Sequence, residues 1–188
     1  MIMPDSNITK KLLAGAFREL LETTPFGKIT VGDICAACGM NRKSFYYHFK
    51  DKYDLVNWIF FTEFAGAALN RIGLETKWTM FEDVCFYFYE NRDFYRKMLA
   101  VEEQNSFSEY FMEFLQSVFY EYMKMMIGEK NDLDFYITFY SDAIICAIKR
   151  WIMDRNCCPP ERFTELVKFC IRDTAKIAQQ DAADSPDR

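Results

Sequence analysis

Apolar residues recur every three or four positions along almost the whole chain, with polar residues between them. That period belongs to amphipathic α-helices. From Asn7 to Thr24, the residues Ile8, Leu12, Ala16, Phe17, Leu20 and Leu21 keep helical spacing, and Thr23-Thr24-Pro25-Phe26-Gly27 ends the run. Thr30 followed by Asp33 resembles a capping box with Asp in place of Glu. It opens a short helix, Val31 to Cys38, which Gly39 can end in the left-handed conformation. Asn41 can cap a second short helix, Arg42 to Phe49. Two helices of about two turns each, joined by a turn containing glycine, make a helix-turn-helix pattern. Asp51 and Asp54 repeat the capping arrangement before a longer helix, Lys52 to about Gly73. Further helices fit Trp78–Leu99, Ser106–Ile127, Leu133–Arg155 and Pro160–Gln180, with breaks at Asn131-Asp132 and at Cys157-Cys158-Pro159-Pro160. The expected fold is all-α: a helix-turn-helix domain over 1–55, a helical bundle over 56–180 and a frayed polar tail over 181–188.

Composition supports this pattern. The 188 residues are 51% hydrophobic, enough for one or two small domains with a real core. Only 7 Gly and 5 Pro leave little turn chemistry for strands. The longest apolar runs, such as Ile144 to Ile148, fall far short of the roughly 20 residues of a membrane helix. Met1 to Lys11 shows no export signal, so the 7 cysteines are expected as reduced thiols in the cytoplasm. The net charge of −5 argues against a surface coated in basic groups. The charge is nevertheless segregated. Residues 1–56 carry +2 and the remainder −7, and Arg42, Lys43, Lys50 and Lys52 cluster around His48, the only histidine. Such clustering suits an anionic polymer.

The helix Arg42–Phe49 carries the chemistry. Phe45 and Phe49 lie about 40° apart on the helical wheel and define its buried side. Lys43, Ser44 and Tyr47 then point outward, with Arg42, Tyr46 and His48 on the flanks. Cations can donate to guanine edges or phosphates, and the hydroxyls of Ser and Tyr to phosphates. Tyr46 and Tyr47 side by side cannot both face a small core, which favours double-stranded DNA over a merely solvated helix.

Residues 8–64 resemble the N-terminal domain of the TetR/AcrR family of bacterial transcriptional regulators. The resemblance rests on Phe26-Gly27-Lys28-Ile29-Thr30-Val31-Gly32-Asp33-Ile34 and on Asn41 through Leu55, which includes Tyr46-Tyr47-His48-Phe49-Lys50-Asp51-Lys52. It implies that Arg42, Lys43 and Ser44 meet base edges. It also implies that Tyr46, His48 and Lys52 hold phosphates, with Thr30 and Tyr47 completing the DNA-facing set. The run from Phe45 to Ile59 is similar to a subgroup of regulators related to dihydroxyacetone kinase operons. The resemblance further implies a dimer, a palindromic operator, a ligand pocket in the bundle and most simply a repressor released by an effector.

The C-terminal portion is rich in rings: residues 78–140 hold 19 aromatics among 63 positions. Most can fill a helical core, yet runs such as Phe86-Tyr87-Phe88-Tyr89 occupy several helix faces. Phe81, Phe88, Tyr89, Tyr110, Phe114, Tyr140 and Ala143 are candidate pocket residues. With no Arg or Lys between Met98 and Tyr122, their ligand would be flat, apolar and uncharged. Equally, the aromatics can fill the space and leave a regulator controlled by a protein partner, with activation as an alternative to repression. Stripes over 136–152 and 163–177 can make a two-fold four-helix bundle, with Ala143, Ala147, Ile148, Trp151, Leu166 and Cys170 at the seam.

No cofactor or metal is expected. Cys35-Ala36-Ala37-Cys38 has redox spacing, but these residues suit the core of a short helix, and a zinc site lacks further ligands. A thiol sensor is the third reading. Without a second histidine, a phosphate-cradling glycine loop or a nucleophile elbow, an enzyme is not expected.

Overall fold

The computed structural model describes residues 6–69, 78–101, 106–127 and 132–184, and among these the chain is helical with no strand. Helices α1 (Ser6–Thr23), α2 (Val31–Ala37), α3 (Arg42–His48) and α4 (Lys52–Phe60) form the head. A 3₁₀ turn, Phe26–Lys28, joins α1 to α2, and a π turn, Phe61–Ala65, carries α4 into α5 (Gly66–Leu69). The body contains α6 (Thr79–Glu90), α7 (Arg92–Leu99), α8 (Phe107–Ile127), α9 (Leu133–Met153) and α10 (Pro160–Asp184). No described helix is long and apolar enough to cross a membrane.

The capping chemistry starts the short helices. Thr30 Oγ1 accepts from Asp33 N at 3.2 Å, and Asp33 Oδ2 accepts from Thr30 N at 2.8 Å, a reciprocal box. Asn41 Oδ1 accepts from Ser44 N at 2.9 Å and begins α3. Gly39, at φ 68°, supplies the left-handed residue between α2 and α3. Asp51 Oδ1 accepts from Tyr53 N and Asp54 N at the start of α4. These short helices persist because Leu13, Phe17, Ile34, Phe45, Phe49 and Leu55 are buried together. Each such side chain contributes about 1.5–3 kcal/mol.

Helix α4 belongs to both halves. Leu55, Val56, Ile59 and Phe60 are all buried in one continuous core, in which Val56 lies near both Phe26 of the head and Met98 and Phe107 of the body. Phe60 is fully buried, with Phe107 of α8 at 5.4 Å, Phe114 at 5.3 Å and Phe88 of α6 at 5.9 Å between ring centroids. Most of these pairs meet edge to face, the arrangement favoured by aromatic quadrupoles. Beyond this cluster, α8 packs along α9 and α6 packs against α10.

Two boundaries differ from the sequence pattern. The helix expected over 78–99 breaks at Asn91, at φ −105° and ψ 25°. Its Nδ2 donates to Tyr87 O at 2.9 Å, and its own carbonyl accepts from the amides of Phe94 and Tyr95. Asn competes for backbone partners in this way and so tolerates a break that periodicity does not reveal. The end expected for the α4 helix, near Gly73, lies outside the described residues, as do 185–188 of the expected tail. The tail's start differs: α10 continues through residues 181–184 as helix.

Trp151 and Ile148, expected at a dimer seam, are buried within the protomer. Trp151 stacks on Phe163 at 4.3 Å and 5°, has Tyr89 on its other side at 6.0 Å, and donates from Nε1 to Cys158 O at 2.8 Å. The expected stripe is therefore divided, with its Ile148 and Trp151 part used inside the chain. Ala147 is half-buried, whereas Ala143, Leu166 and Cys170 remain exposed. Trp151→Ala is expected to cost about 3–5 kcal/mol of unfolding free energy, read by denaturant titration. A variant of unchanged stability that has become monomeric would return Trp151 to an interface.

Candidate nucleic-acid interface

The outer surface of α3 is built from both of its neighbours. Phe45 and Phe49 turn inward, and the opposite side presents Lys43 and Tyr47, the latter 80% exposed. Tyr46 is exposed too, its ring standing edge-on to Phe45 at 5.6 Å, so the phenol is steered while its hydroxyl stays outside. Tyr47 meets His48 edge to face at 4.9 Å. Arg42 is exposed and Ser44 half-buried. The Ser44 hydroxyl lies 3.2 Å from Asn41 Oδ1 and donates to it, leaving its lone pairs for a ligand. Thr30 is likewise exposed, with its hydroxyl donating to Asp33 Oδ2 at 2.7 Å. These Thr30 hydrogen bonds hold the Asp33 carboxyl below its usual range.

His48 is half-buried, and desolvation, with a smaller contribution from Lys10, pushes its pKa down. The imidazole is therefore mainly neutral at pH 7 and acts as a hydrogen-bonding group rather than a fixed cation. Lys10 is a residue that the sequence reading missed. Its ammonium reaches over Phe49 at 5.6 Å and Trp58 at 5.8 Å, bringing an α1 cation beside α3. Helical periodicity marks Lys10 only as a polar position.

Lys52 sits differently from the phosphate contact that the resemblance implies. Its ammonium donates to Phe26 O at 2.7 Å and Ile29 O at 3.0 Å and lies over the Phe26 ring at 4.2 Å. It ties the start of α4 to both ends of the 3₁₀ turn that delivers α2. This makes Lys52 a positioning residue in the free protein.

The candidate pocket residues do not share one space. Phe88 and Phe114 are buried around Phe60, and Tyr110 packs its ring 6.3 Å from the same centre. Phe81 pairs with Trp78 and Phe163, Tyr89 stacks on Trp151, Tyr140 meets Phe139, and Ala143 is exposed. An open groove of about 450 Å³ lies instead between Ser108, Glu109, Met112 and Glu113 of α8 and Ile145 and Lys149 of α9. A second, of about 490 Å³, runs between the end of α1 and the end of α7.

Lys43→Ala and Tyr47→Ala are each expected to weaken binding to a specific duplex by about 1–3 kcal/mol without altering the melting temperature. Fluorescence anisotropy alongside thermal melting checks both. Lys52→Ala is expected to lower unfolding stability by about 1–3 kcal/mol, because two carbonyls lose a charged donor. An unchanged melting curve with a flatter salt dependence of binding would mark Lys52 as a phosphate contact alone.

Comparison with known proteins places both halves of the chain in one family. Residues 12–59 match the family described as bacterial regulatory proteins, tetR family. Residues 76–173 match a transcriptional regulator C-terminal region of the same group. The chain is 27% identical over 177 residues to the HTH-type dhaKLM operon transcriptional activator DhaS of Lactococcus lactis subsp. lactis (strain IL1403), covering 90% of this chain and 92% of that one. Its fold is similar to a solved structure of the dihydroxyacetone kinase operon activator DhaS, with TM-score 0.64, 21% identity and coverage of 91% and 98%. It is also similar to a TetR transcriptional regulator from Streptococcus agalactiae 2603V, with TM-score 0.65, 21% identity and coverage of 86% and 92%. The head that presents α3 and the helical body behind it are thus the two parts of a DNA-binding transcriptional regulator, and the chain belongs to the TetR family.

Proposed function

We propose that the protein activates transcription as an operator-bound homodimer, under the control of a protein partner that engages its helical body. The observation that carries this reading is the filled aromatic core. A repressor released by a flat apolar effector, the simplest reading of the sequence, needs a space where its wall residues meet. Here Phe88, Tyr110 and Phe114 pack on Phe60, while Tyr89 and Phe81 belong to the stacks around Trp151 and Phe163. Among the described residues, close packing of these rings leaves an effector no room between them. The relative named as a dhaKLM operon transcriptional activator supports the sign of the regulation.

The dimer face proposed for this activator combines Phe135, Phe139 and Ala143 of α9 with Leu166, Phe169 and Cys170 of α10. All are exposed, with Phe135 at 71%, Phe139 at 56% and Phe169 at 52%. Apolar stripes on two helices per chain suit a four-helix bundle about a two-fold axis. Such a dimer would set its two recognition helices about one helical turn of DNA, roughly 34 Å, apart.

Deleting the gene is expected to lower transcription from promoters that the protein occupies, read by footprinting and transcript counts together. A rise would favour the repressor. In thermal melting against a panel of flat apolar compounds, none is expected to stabilise the protein; a saturable rise with one of them would favour the effector reading. Phe169→Glu should leave each protomer folded but give a monomer in sedimentation, with operator affinity collapsing because one head covers one half-site. An unchanged dimer would remove Phe169 from the interface.

A further inference from the structure

Within the recognition unit, one glycine is placed where a side chain would collide with a DNA-facing residue. A Cβ at Gly32 would stand 2.5 Å from Arg42 Nη2, 3.1 Å from its Nε and 3.2 Å from its Cζ. The Arg42 guanidinium therefore lies back across the first turn of α2, in the space left by the missing methyl group. Its charge also acts on the carboxyl of neighbouring Asp33, a smaller influence there than the Thr30 hydrogen bonds. The wheel of α3 explains why Arg42 takes this course. It stands about 20° from Phe49 and about 60° from Phe45, on the α2 side of the buried face, whereas Lys43 and Tyr47 lie roughly opposite. The Arg42 guanidinium thus lies beside α2, and Lys43 and Tyr47 are the side chains that stand straight out from α3.

We infer that Gly32 is a positioning residue that seats Arg42 for a phosphate contact beside α2, leaving base selection to Lys43 and Tyr47. When the second helix of such a unit enters the major groove, the first crosses the phosphate backbone. A guanidinium seated on α2 then meets phosphate oxygens, for which its paired donors are well shaped. This reassigns Arg42 from the base-edge role that its early position in α3 suggests. It also gives the chain's Val31-Gly32-Asp33 sequence a purpose at a helical position where glycine is otherwise unfavourable. The blocking atoms belong to the far end of Arg42. An alanine at 32 would therefore displace the guanidinium and leave the backbone of α2 in place.

The test is a double-mutant cycle on DNA binding by the full-length protein. The probe is a duplex that the wild type has selected from a random-sequence pool, together with a panel of its single-base-pair variants. Gly32→Ala and Arg42→Ala should each weaken binding about tenfold, a loss in keeping with one charge-assisted contact. Each should reduce the slope of log K against log salt by about one. Both should keep the wild-type ranking of the variant duplexes, which Lys43→Ala should alter. In the Arg42→Ala background, Gly32→Ala should have no further effect, and it should melt no lower than the wild type. An Arg42→Ala protein that reorders the panel with its salt slope intact would make Arg42 a base reader and overturn the inference. So would a Gly32→Ala loss that persists in full without Arg42, or a Gly32→Ala protein that binds as tightly as the wild type.

Discussion

The burial of Phe60 is the constraint on which the rest of the molecule depends. Helix α4 begins in the head, where Leu55 is buried, and ends with Phe60 among rings from α6, α7 and α8. A rotation of α4 that improved the packing at one end would disturb the other. The π turn that follows displaces Glu63 to the outside, where its carboxylate pairs with Arg18 of α1 at 2.8 Å and accepts from the Tyr87 hydroxyl at 2.6 Å. Tyr87 in turn lies 2.7 Å from the buried Tyr95 hydroxyl, and burial raises the pKa of both phenols. Both therefore remain neutral and hydrogen-bonded at any physiological pH. Lys97 adds a further tie by donating to Leu21 O at the end of α1. Head and body are joined by packing and by polar groups, so a change imposed on the body has a material route to α3.

The architecture of the head follows from an economical division of labour. Few side chains are spared for the core: Phe45 and Phe49 hold α3 down, and Lys52 spends its ammonium on carbonyls. That releases the remaining positions of α3 for the outside, where two phenols would be costly if DNA did not receive them. A chain of net charge −5 can approach a polyanion because residues 1–56 carry +2, while most of its carboxylates lie in the body. Long-range repulsion from the body is screened beyond roughly 8–10 Å at physiological salt.

Much of this was legible in the sequence, for identifiable reasons. The head has capping residues at α2, α3 and α4, a glycine at positive φ and an unambiguous wheel on α3, so local chemistry and fold agree. The body was legible only as helices. A stripe such as Ile144, Ala147, Ile148 and Trp151 shows that a face is covered, yet not whether its cover comes from the same chain. Here Phe163 and Tyr89 cover Trp151, while the exposed stripe runs through Phe135, Phe139 and Phe169. The break at Asn91, made by local hydrogen bonds, and the π turn at 61–65 both leave the apolar pattern intact. The excess of rings in 78–140 was the hardest feature to read, because the same composition serves a cavity wall or a solid core. Edge-to-face packing about Phe60 accounts for Tyr95, Phe107, Tyr110, Phe111 and Phe114.

Whether that core is solid is the claim on which the account of regulation turns, and thermal melting with benzene measures it directly. Phe60→Ala should open an apolar void that benzene can enter, raising the variant's Tm in a saturable way. The wild-type protein should show no benzene-dependent rise, because Phe60 and its neighbours already occupy the space. A saturable rise in the wild type, comparable with that of the variant, would show a preformed apolar cavity and contradict the account.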